Sequence, residues 1–84
     1  MTYRVVIGSS AEKELKKTPA LVRERIARKV LSLEDDPRPR GVRKLSGREE
    51  YRIRVGDYRI LYTIVDSEFL VTVLALGHRR EIYR

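Results

Sequence analysis

The dipeptide Gly56-Asp57 has an arginine two residues away on either side, at positions 54 and 59. A two-residue hairpin turn at Gly56-Asp57 predicts that Arg54 lies opposite Arg59 on antiparallel strands, with Arg52 on the same face. Like charges placed directly opposite each other destabilise a strand pair, so we expect an anionic ligand to balance them. A phosphate is the natural candidate, because guanidinium offers a planar fork of donors and stays charged at physiological pH.

The alternative interpretation of these arginines is a solvated strand face, with Glu49, Glu50 and Asp57 as local counter-ions. Solvated faces usually alternate the sign of their charges, whereas this face would stack three positive side chains. The sequence therefore favours a binding role but leaves both interpretations open.

Few other reactive groups accompany the arginines. The chain has no cysteine, one histidine (His78), no glycine-rich phosphate loop and no HExxH pattern. Asp57 and Asp66 fall in turns at opposite ends of a predicted strand, so a pair of carboxylates that converges on a metal is not expected. We predict no metal and no cofactor.

Cleavage of a phosphodiester without a metal remains feasible if RNA supplies its own 2′-hydroxyl as nucleophile. The protein must then stabilise the charge of the transition state and move two protons. Arginines at positions 52, 54, 59 and 79 suit the first task. With a pKa above ~12, arginine is a poor proton shuttle, so His78 or Tyr83 is expected to help with the second.

The length of the chain predicts one small domain, residues 1–84. Its charge predicts a polyanionic partner. The formal net charge is +7 and the sequence pI is about 10.1. Residues 37–59 hold eight basic and three acidic side chains, whereas residues 11–36 hold seven and six, which indicates a merely solvated surface. The absence of cysteine, of a secretion signal and of a long apolar run favours the cytoplasm.

Two helices are expected near the N-terminus, after a first strand over residues 3–7. Ser9 and Glu12 have the spacing of a capping box, which predicts a helix to about Lys17. Thr18 as N-cap and Pro19 as first helical residue predict a second helix to about Glu34. Its core-facing stripe, flanked by Leu21, Ala27 and Leu31, is predicted at Val22, Ile26, Val30 and Leu33.

Three strands follow over residues 50–55, 58–65 and 68–76, after a possible short edge strand at 42–45. The tyrosines at 51, 58 and 62 share a face with Ile53 and Ile60, which predicts core packing. Gly77 is expected to allow a bulge after the last strand. The order β-α-α-β-β-β predicts an α+β fold, with both helices on one face of a small, mainly antiparallel twisted sheet.

Three blocks of the sequence together resemble the RelE toxins of the RelE/ParE superfamily: Leu45-Ser46-Gly47, the run from Tyr51 to Tyr62, and the stretch from Val73 through His78-Arg79-Arg80-Glu81-Ile82-Tyr83-Arg84. The element order matches too, so the likeness covers essentially the whole chain. The turn is common to much of the superfamily, and the tail is typical of its RNA-cleaving branch.

The resemblance implies a ribosome-dependent endoribonuclease that cuts mRNA in the ribosomal A site by the 2′-hydroxyl route. Arg59 and Arg79 would stabilise the transition state and leaving group, and Tyr83 would position or stack on the substrate. Arg52 and Arg54 stand where the family often has lysines, so the general base is left open. It also implies an acidic, RelB-like antitoxin as partner.

Further contacts to substrate or ribosomal RNA are predicted for seven more basic residues: Arg38, Arg40, Arg43, Lys44, Arg48, His78 and Arg80. Two other functions stay open at this stage. One is a ParE-type toxin that poisons DNA gyrase on the same fold, and the other is a non-catalytic RNA-binding module.

Overall fold

The structure, a computed structural model, describes residues 2–45, 47 and 49–78. The elements in chain order are β1 Arg4–Ile7, α1 Ser9–Lys17, α2 Ala20–Ser32, β2 Arg43–Lys44, β3 Glu50–Val55, β4 Tyr58–Val65 and β5 Leu70–His78. The strands form one sheet in the order β1-β5-β4-β3-β2. All neighbours are antiparallel except β1 and β5, which are parallel. The predicted α+β class and the edge strand before β3 are confirmed.

Both helices lie on one face of the sheet, where α1 packs chiefly on β5 and α2 contacts β3. The core between these layers follows from the apolar alternation of the central strands and from the helical stripe of α2. Its largest fully buried side chains are Ile26, Leu33, Ile60, Tyr62, Val71 and Val73. Burying side chains of this size contributes about 1.5–3 kcal/mol each, so this core holds α2 against the central strands β4 and β5.

The predicted stripe of α2 is confirmed at its centre and is narrower than expected at its flanks. Ile26 and Val30 are buried, and Val22 packs against them at partial exposure. Leu21 and Leu31 are instead 79% and 59% exposed. A helix of this size presents only a limited apolar arc to one sheet, so residues at the margin of the pattern stay in solvent.

The helix starts differ from the predicted caps. Gly8 is the N-cap of α1 and makes no side-chain cap hydrogen bond, so the predicted capping box of Ser9 and Glu12 is wrong. A Cβ at Gly8 would meet the Val73 carbonyl oxygen at 3.0 Å, a tight contact, so a larger residue here would require a small shift between β1 and β5.

The N-cap of α2 is Pro19, one residue later than the predicted threonine cap. The Thr18 hydroxyl donates a hydrogen bond to the Glu14 carbonyl oxygen at 2.8 Å and so completes the end of α1. Thr18 therefore satisfies the last turn of one helix instead of the first turn of the next.

The last strand begins and ends two residues later than predicted. The 3-10 turn Asp66–Glu68 and Phe69, whose φ is +50°, use the residues assigned to its start. Gly77 is paired within β5 opposite Arg59 and introduces no bulge. The irregularity lies instead between Leu61 and Tyr62, which pair with Ala75 and Val73 and leave Leu74 as the extra residue.

Candidate functional site

The hairpin at the end of β3 and β4 has the register that the turn predicts. Gly56 has a φ of +58°, which this turn requires and which glycine adopts without strain. Arg54 lies opposite Arg59. The other predicted pairs are confirmed as well: Val55 with Tyr58, Ile53 with Ile60, and Tyr51 with Tyr62.

Four arginines share the face of the sheet that the helices leave uncovered. On the edge strand, Arg43 pairs with Arg52 of β3, and one pleat further along β3 Arg54 pairs with Arg59 of β4. Alternation along each strand places these side chains opposite the face of Ile53 and Ile60. We call this set the arginine face: Arg43, Arg52, Arg54 and Arg59.

Exposure falls from the edge of the arginine face to its centre. Arg43 and Arg54 are exposed, Arg52 is partly buried, and Arg59 is only 4% exposed. The neighbour of Arg59 on β5 is Gly77, which has no side chain. A guanidinium is seldom buried unless surrounding groups hydrogen-bond to it, so Arg59 is held in a defined position while Arg54 reaches solvent.

The positive charges of the arginine face act on one another. Partial burial lowers the pKa of the Arg52 guanidinium, and the charges of Arg43 and Arg54 lower that pKa further. Within the described residues, Arg54 forms no ion pair, and neither do the expected counter-ions Glu49 and Asp57. Arg54 therefore presents an uncompensated charge beside a buried one.

Arg38, which the sequence predicts to contact RNA, belongs to a network with Asp66 beyond the other end of β4. Its Nη1 and Nη2 atoms donate to the two carboxylate oxygens of Asp66 at 3.2 and 2.8 Å, and its Nε donates to the Tyr51 hydroxyl at 3.2 Å. The Tyr3 hydroxyl donates to Asp66 Oδ1 at 2.6 Å. We call this network the Arg38 latch: Arg38, Asp66, Tyr51 and Tyr3.

The latch fixes protonation states as well as positions. Hydrogen bonds from Arg38 and then from Tyr3 lower the pKa of Asp66 to about 2. The hydrogen bond to Asp66 is also the main cause that raises the pKa of the Arg38 guanidinium. Next to it, the buried Tyr62 hydroxyl donates to the Pro37 carbonyl oxygen at 2.7 Å and ties the connector after α2 to the sheet.

The remaining predicted contact residues divide between the two faces. Lys44 pairs with Tyr51, and His78 pairs with Tyr58, so both side chains lie on the face opposite the arginines. The His78 ring meets the Tyr58 ring edge-on at a centroid distance of 5.7 Å. Arg40 is exposed in the turn before β2. The other predicted site residues lie outside the described residues: Arg48, Arg79, Arg80 and Tyr83.

A second group of basic side chains approaches the hairpin from α2. Arg25, Arg28 and Lys29 line an open cleft together with Arg54. The sequence analysis treated this segment as a solvated surface because its total charge is nearly balanced. The i, i+3, i+4 spacing of these residues was the signal that would have placed them on one helix face.

The described residues contain no group of three or more His, Cys, Asp or Glu side chains arranged to hold a metal ion. No helix among them is long and apolar enough to cross a bilayer. The chemistry that the arginine face offers is electrostatic: its four guanidinium groups share one face of the sheet, and groups of this kind stabilise phosphates and developing negative charge.

Comparison with known proteins places this chain in one family. A family model described as the ParE toxin of the type II toxin-antitoxin system parDE matches residues 5–83. The mRNA interferase toxin RelE of Escherichia coli is 30% identical over 88 residues, which cover 99% of this chain and 92% of that protein.

Solved structures give the same result. RelE in the archaeal RelE-RelB complex from Pyrococcus horikoshii is 34% identical with a TM-score of 0.85, over 96% of this chain and 99% of that one. The RelBE2 toxin-antitoxin complex of Mycobacterium tuberculosis gives 27% identity and a TM-score of 0.84, over 94% and 100% of the two chains. This chain belongs to the RelE/ParE family and is a RelE-type toxin of a type II toxin-antitoxin system.

Proposed function

We propose that this toxin is a ribosome-dependent endoribonuclease that cuts mRNA in the ribosomal A site. The observation that carries the proposal is that four arginines share the face of the sheet opposite the helices, where Arg59 is buried and Arg54 forms no ion pair within the described residues. Relatives named mRNA interferases support the same activity. The substrate requires the protein to act in the cytoplasm.

In the proposed reaction, the RNA 2′-oxygen attacks the adjacent phosphorus while its proton leaves. The bond from phosphorus to the 5′-oxygen then breaks, and that oxygen takes up a proton, which gives a 2′,3′-cyclic phosphate and a 5′-hydroxyl end. The protein supplies no atoms and needs no cofactor. Its contribution is charge stabilisation at the phosphorane-like transition state, positioning of the strand and transfer of two protons.

Roles for individual residues follow from position and from resemblance. In this proposal Arg59 holds a phosphate oxygen, and Arg54 and Arg52 neutralise the second charge as it develops. Arg79 and Tyr83 are assigned by resemblance alone, to the leaving group and to substrate stacking.

We also propose an acidic, RelB-like antitoxin as partner. Several of the solved structures similar to this chain are toxin-antitoxin complexes. A partner of opposite charge suits a chain of net charge +7.

Primer extension on a translated message tests the activity. Purified toxin added to ribosomes that carry a defined codon in the A site should produce cuts within that codon. A message with a 2′-deoxy nucleotide at the cut position should resist cleavage, because the nucleophile is missing. Cuts that persist in the deoxy message, or no cuts with ribosomes present, would contradict the proposal. The same RNA without ribosomes should be cut poorly.

A gyrase-poisoning toxin remains the second candidate, because the matching family model is described by ParE. Supercoiling by purified gyrase discriminates between them. The RelE-type proposal predicts that supercoiling is unchanged at toxin concentrations that give complete mRNA cleavage. Inhibited supercoiling without cleavage would favour the ParE-type function.

A further inference from the structure

Beside the arginine face lies an open cleft of about 460 Å³ between α2 and the tip of the hairpin. We call it the α2 cleft. Its walls are Arg25, Arg28, Lys29 and Ser32 from the helix, and Arg54, Val55 and Gly56 from the hairpin.

The geometry of α2 explains why the cleft is basic. The four helical lining residues follow the spacing i, i+3, i+4, i+7, which places them on one side of a helix over about 10 Å of its length. The apolar stripe of the same helix holds it against β3, and this contact brings the basic side to the end of that strand.

Most of this positive charge has no partner in the described part of the chain. Arg25, Lys29 and Arg54 form no ion pair or hydrogen bond through their side chains there. Arg28 contacts Glu24 at 3.4 Å, but both side chains are at least 70% exposed. An exposed helical pair of this kind contributes little and exchanges readily for another anion.

We propose that the α2 cleft is a second RNA-binding site, which holds phosphates of the RNA backbone outside the position where cleavage occurs. The proposal rests on the ribonuclease function above, because Arg54 belongs both to the cleft and to the arginine face. RNA whose cleaved phosphate lies on the arginine face has neighbouring phosphates within reach of the cleft around the hairpin tip.

The character of the cleft favours RNA over other anions. Val55 is the only apolar residue among those lining it, whereas the centre of a protein interface is normally rich in aromatic and aliphatic side chains. The cleft is open to solvent, which suits a continuous polymer better than a small ligand that must be enclosed. Three of its four cations are arginines, whose fork of donors matches phosphate oxygens.

The test is a salt titration of binding to purified ribosomes, with the triple variant Arg25→Gln, Arg28→Gln and Lys29→Gln. Glutamine keeps helix propensity close to that of arginine and lysine. The matched control is Lys13→Gln, Lys16→Gln and Lys17→Gln in α1. It removes the same net charge and also breaks one exposed helical ion pair, that of Lys17 with Glu14.

The cleft variant should bind at least tenfold more weakly at low salt. Its slope of log Kd against log salt should be shallower by about 2, because each phosphate contact on a single strand contributes about 0.7. The control should keep the slope of the unaltered toxin. If the triple variant does not fold by circular dichroism, Arg25→Gln with Lys29→Gln gives the same comparison with a smaller change.

Two kinds of ribosome distinguish the source of the phosphates. A slope difference that appears only with an uncleavable 2′-deoxy message in the A site assigns them to mRNA. A difference that persists without message assigns them to ribosomal RNA. Both results support the proposal.

Equal slopes for the cleft variant and its control would overturn the proposal. So would loss of neutralisation by a co-expressed antitoxin with ribosome binding unchanged, which would assign the cleft to a protein. Cleavage is scored separately by primer extension. If the unaltered toxin cuts mRNA but the cleft variant and its control have equal salt slopes, only the proposal for the α2 cleft is refuted. If the toxin binds ribosomes through the cleft but does not cut mRNA, only the ribonuclease function is refuted.

Discussion

Two arginine clusters lie at opposite ends of β4, and they differ in what balances their charge. In the Arg38 latch, one guanidinium meets one carboxylate in a bidentate pair, with two tyrosine hydroxyls completing the network. On the arginine face, four guanidinium groups gather and Arg54 has no described carboxylate as partner. Asp66 follows the end of β4, about 23 Å along the strand from Arg59, whereas Tyr51 of the latch and Arg52 of the arginine face are neighbours in β3.

The comparison shows that residue type alone does not separate structural from functional arginines. In the latch, the charge of Arg38 is paired with Asp66 at the protein surface, and the hydrogen bonds of Arg38 tie the connector between α2 and β2 to the sheet. The arginine face accepts like-charge repulsion, which is a cost to folding that a bound phosphate would offset. We therefore expect the two clusters to respond in opposite ways to substitution.

The largest effect is expected for the double variant Arg52→Gln with Arg54→Gln. Cleavage of mRNA on ribosomes should fall by ~10²-fold or more, because donors aimed at developing charge typically have effects of this size. Single-turnover cleavage measured by primer extension gives the rate.

Two controls make that result specific. Lys16→Gln with Lys17→Gln removes the same charge from α1 and should leave the rate within a fewfold of normal. Arg38→Gln should also retain cleavage in the folded protein, because the latch lies at the far end of β4. Equal losses in all three variants would mean that net charge, and not the arginine face, drives the reaction.

The next largest effect is a loss of stability on substitution of Tyr62, which lies beside the Arg38 latch. Tyr62→Phe removes the hydroxyl that donates to the Pro37 carbonyl oxygen and leaves that oxygen without its donor. We expect a loss of about 1–3 kcal/mol in the free energy of unfolding, as for other buried polar groups that lose a partner. Urea denaturation measures it, and the cleavage rate per folded molecule should not change. An unchanged unfolding midpoint would show that water replaces the hydroxyl.

Local sequence rules predicted the arginine face well. The Gly56-Asp57 turn fixes the strand register, and the register alone determines which side chains share a face, so the turn predicts the pairing of Arg54 with Arg59. On the edge strand β2, Arg43 pairs with Arg52 and so lies on the same face. These relations depend only on near neighbours in the chain.

The same rules did not predict the latch. Arg38 and Asp66 are 28 residues apart, and their pairing depends on how the connector after α2 crosses the sheet. The α2 cleft has the same origin, since the approach of the helix to the hairpin is a tertiary contact. A long-range contact between polar side chains has no periodic signal in the sequence, whereas the apolar core has one.

A smaller effect is expected from pH. The folded pKa of Asp66 is about 2, below its ordinary value of 3.8, so the unfolded chain binds more protons between these values. The stabilisation from the latch should be complete above about pH 5 and should be lost as pH falls toward 2. Because the pair is exposed, the difference in Tm at neutral pH should be smaller than for Tyr62→Phe.

Asp66→Asn isolates this contribution from those of the other carboxylates. The Tm of the unaltered protein should exceed that of the variant at pH 6, and the difference should shrink as the pH is lowered toward 2. If this Tm difference stayed constant over the pH range, the stabilisation would come from side-chain packing and hydrogen bonding and not from the charge of Asp66.

The smallest expected effect is the change in the free energy of unfolding caused by Arg54→Gln alone. The sign of this change distinguishes Arg54 from Arg38 most directly. Removing one member of a like-charged cross-strand pair should raise the free energy of unfolding by about 0.2–0.5 kcal/mol at low salt. The gain should vanish near 1 M salt, where the screening length is about 3 Å. Arg38→Gln should instead lower it, since that change leaves the Asp66 carboxylate unpaired. If Arg54→Gln lowered the Tm at every salt concentration, Arg54 would be a structural residue like Arg38, and the distinction between the two ends of β4 would fail.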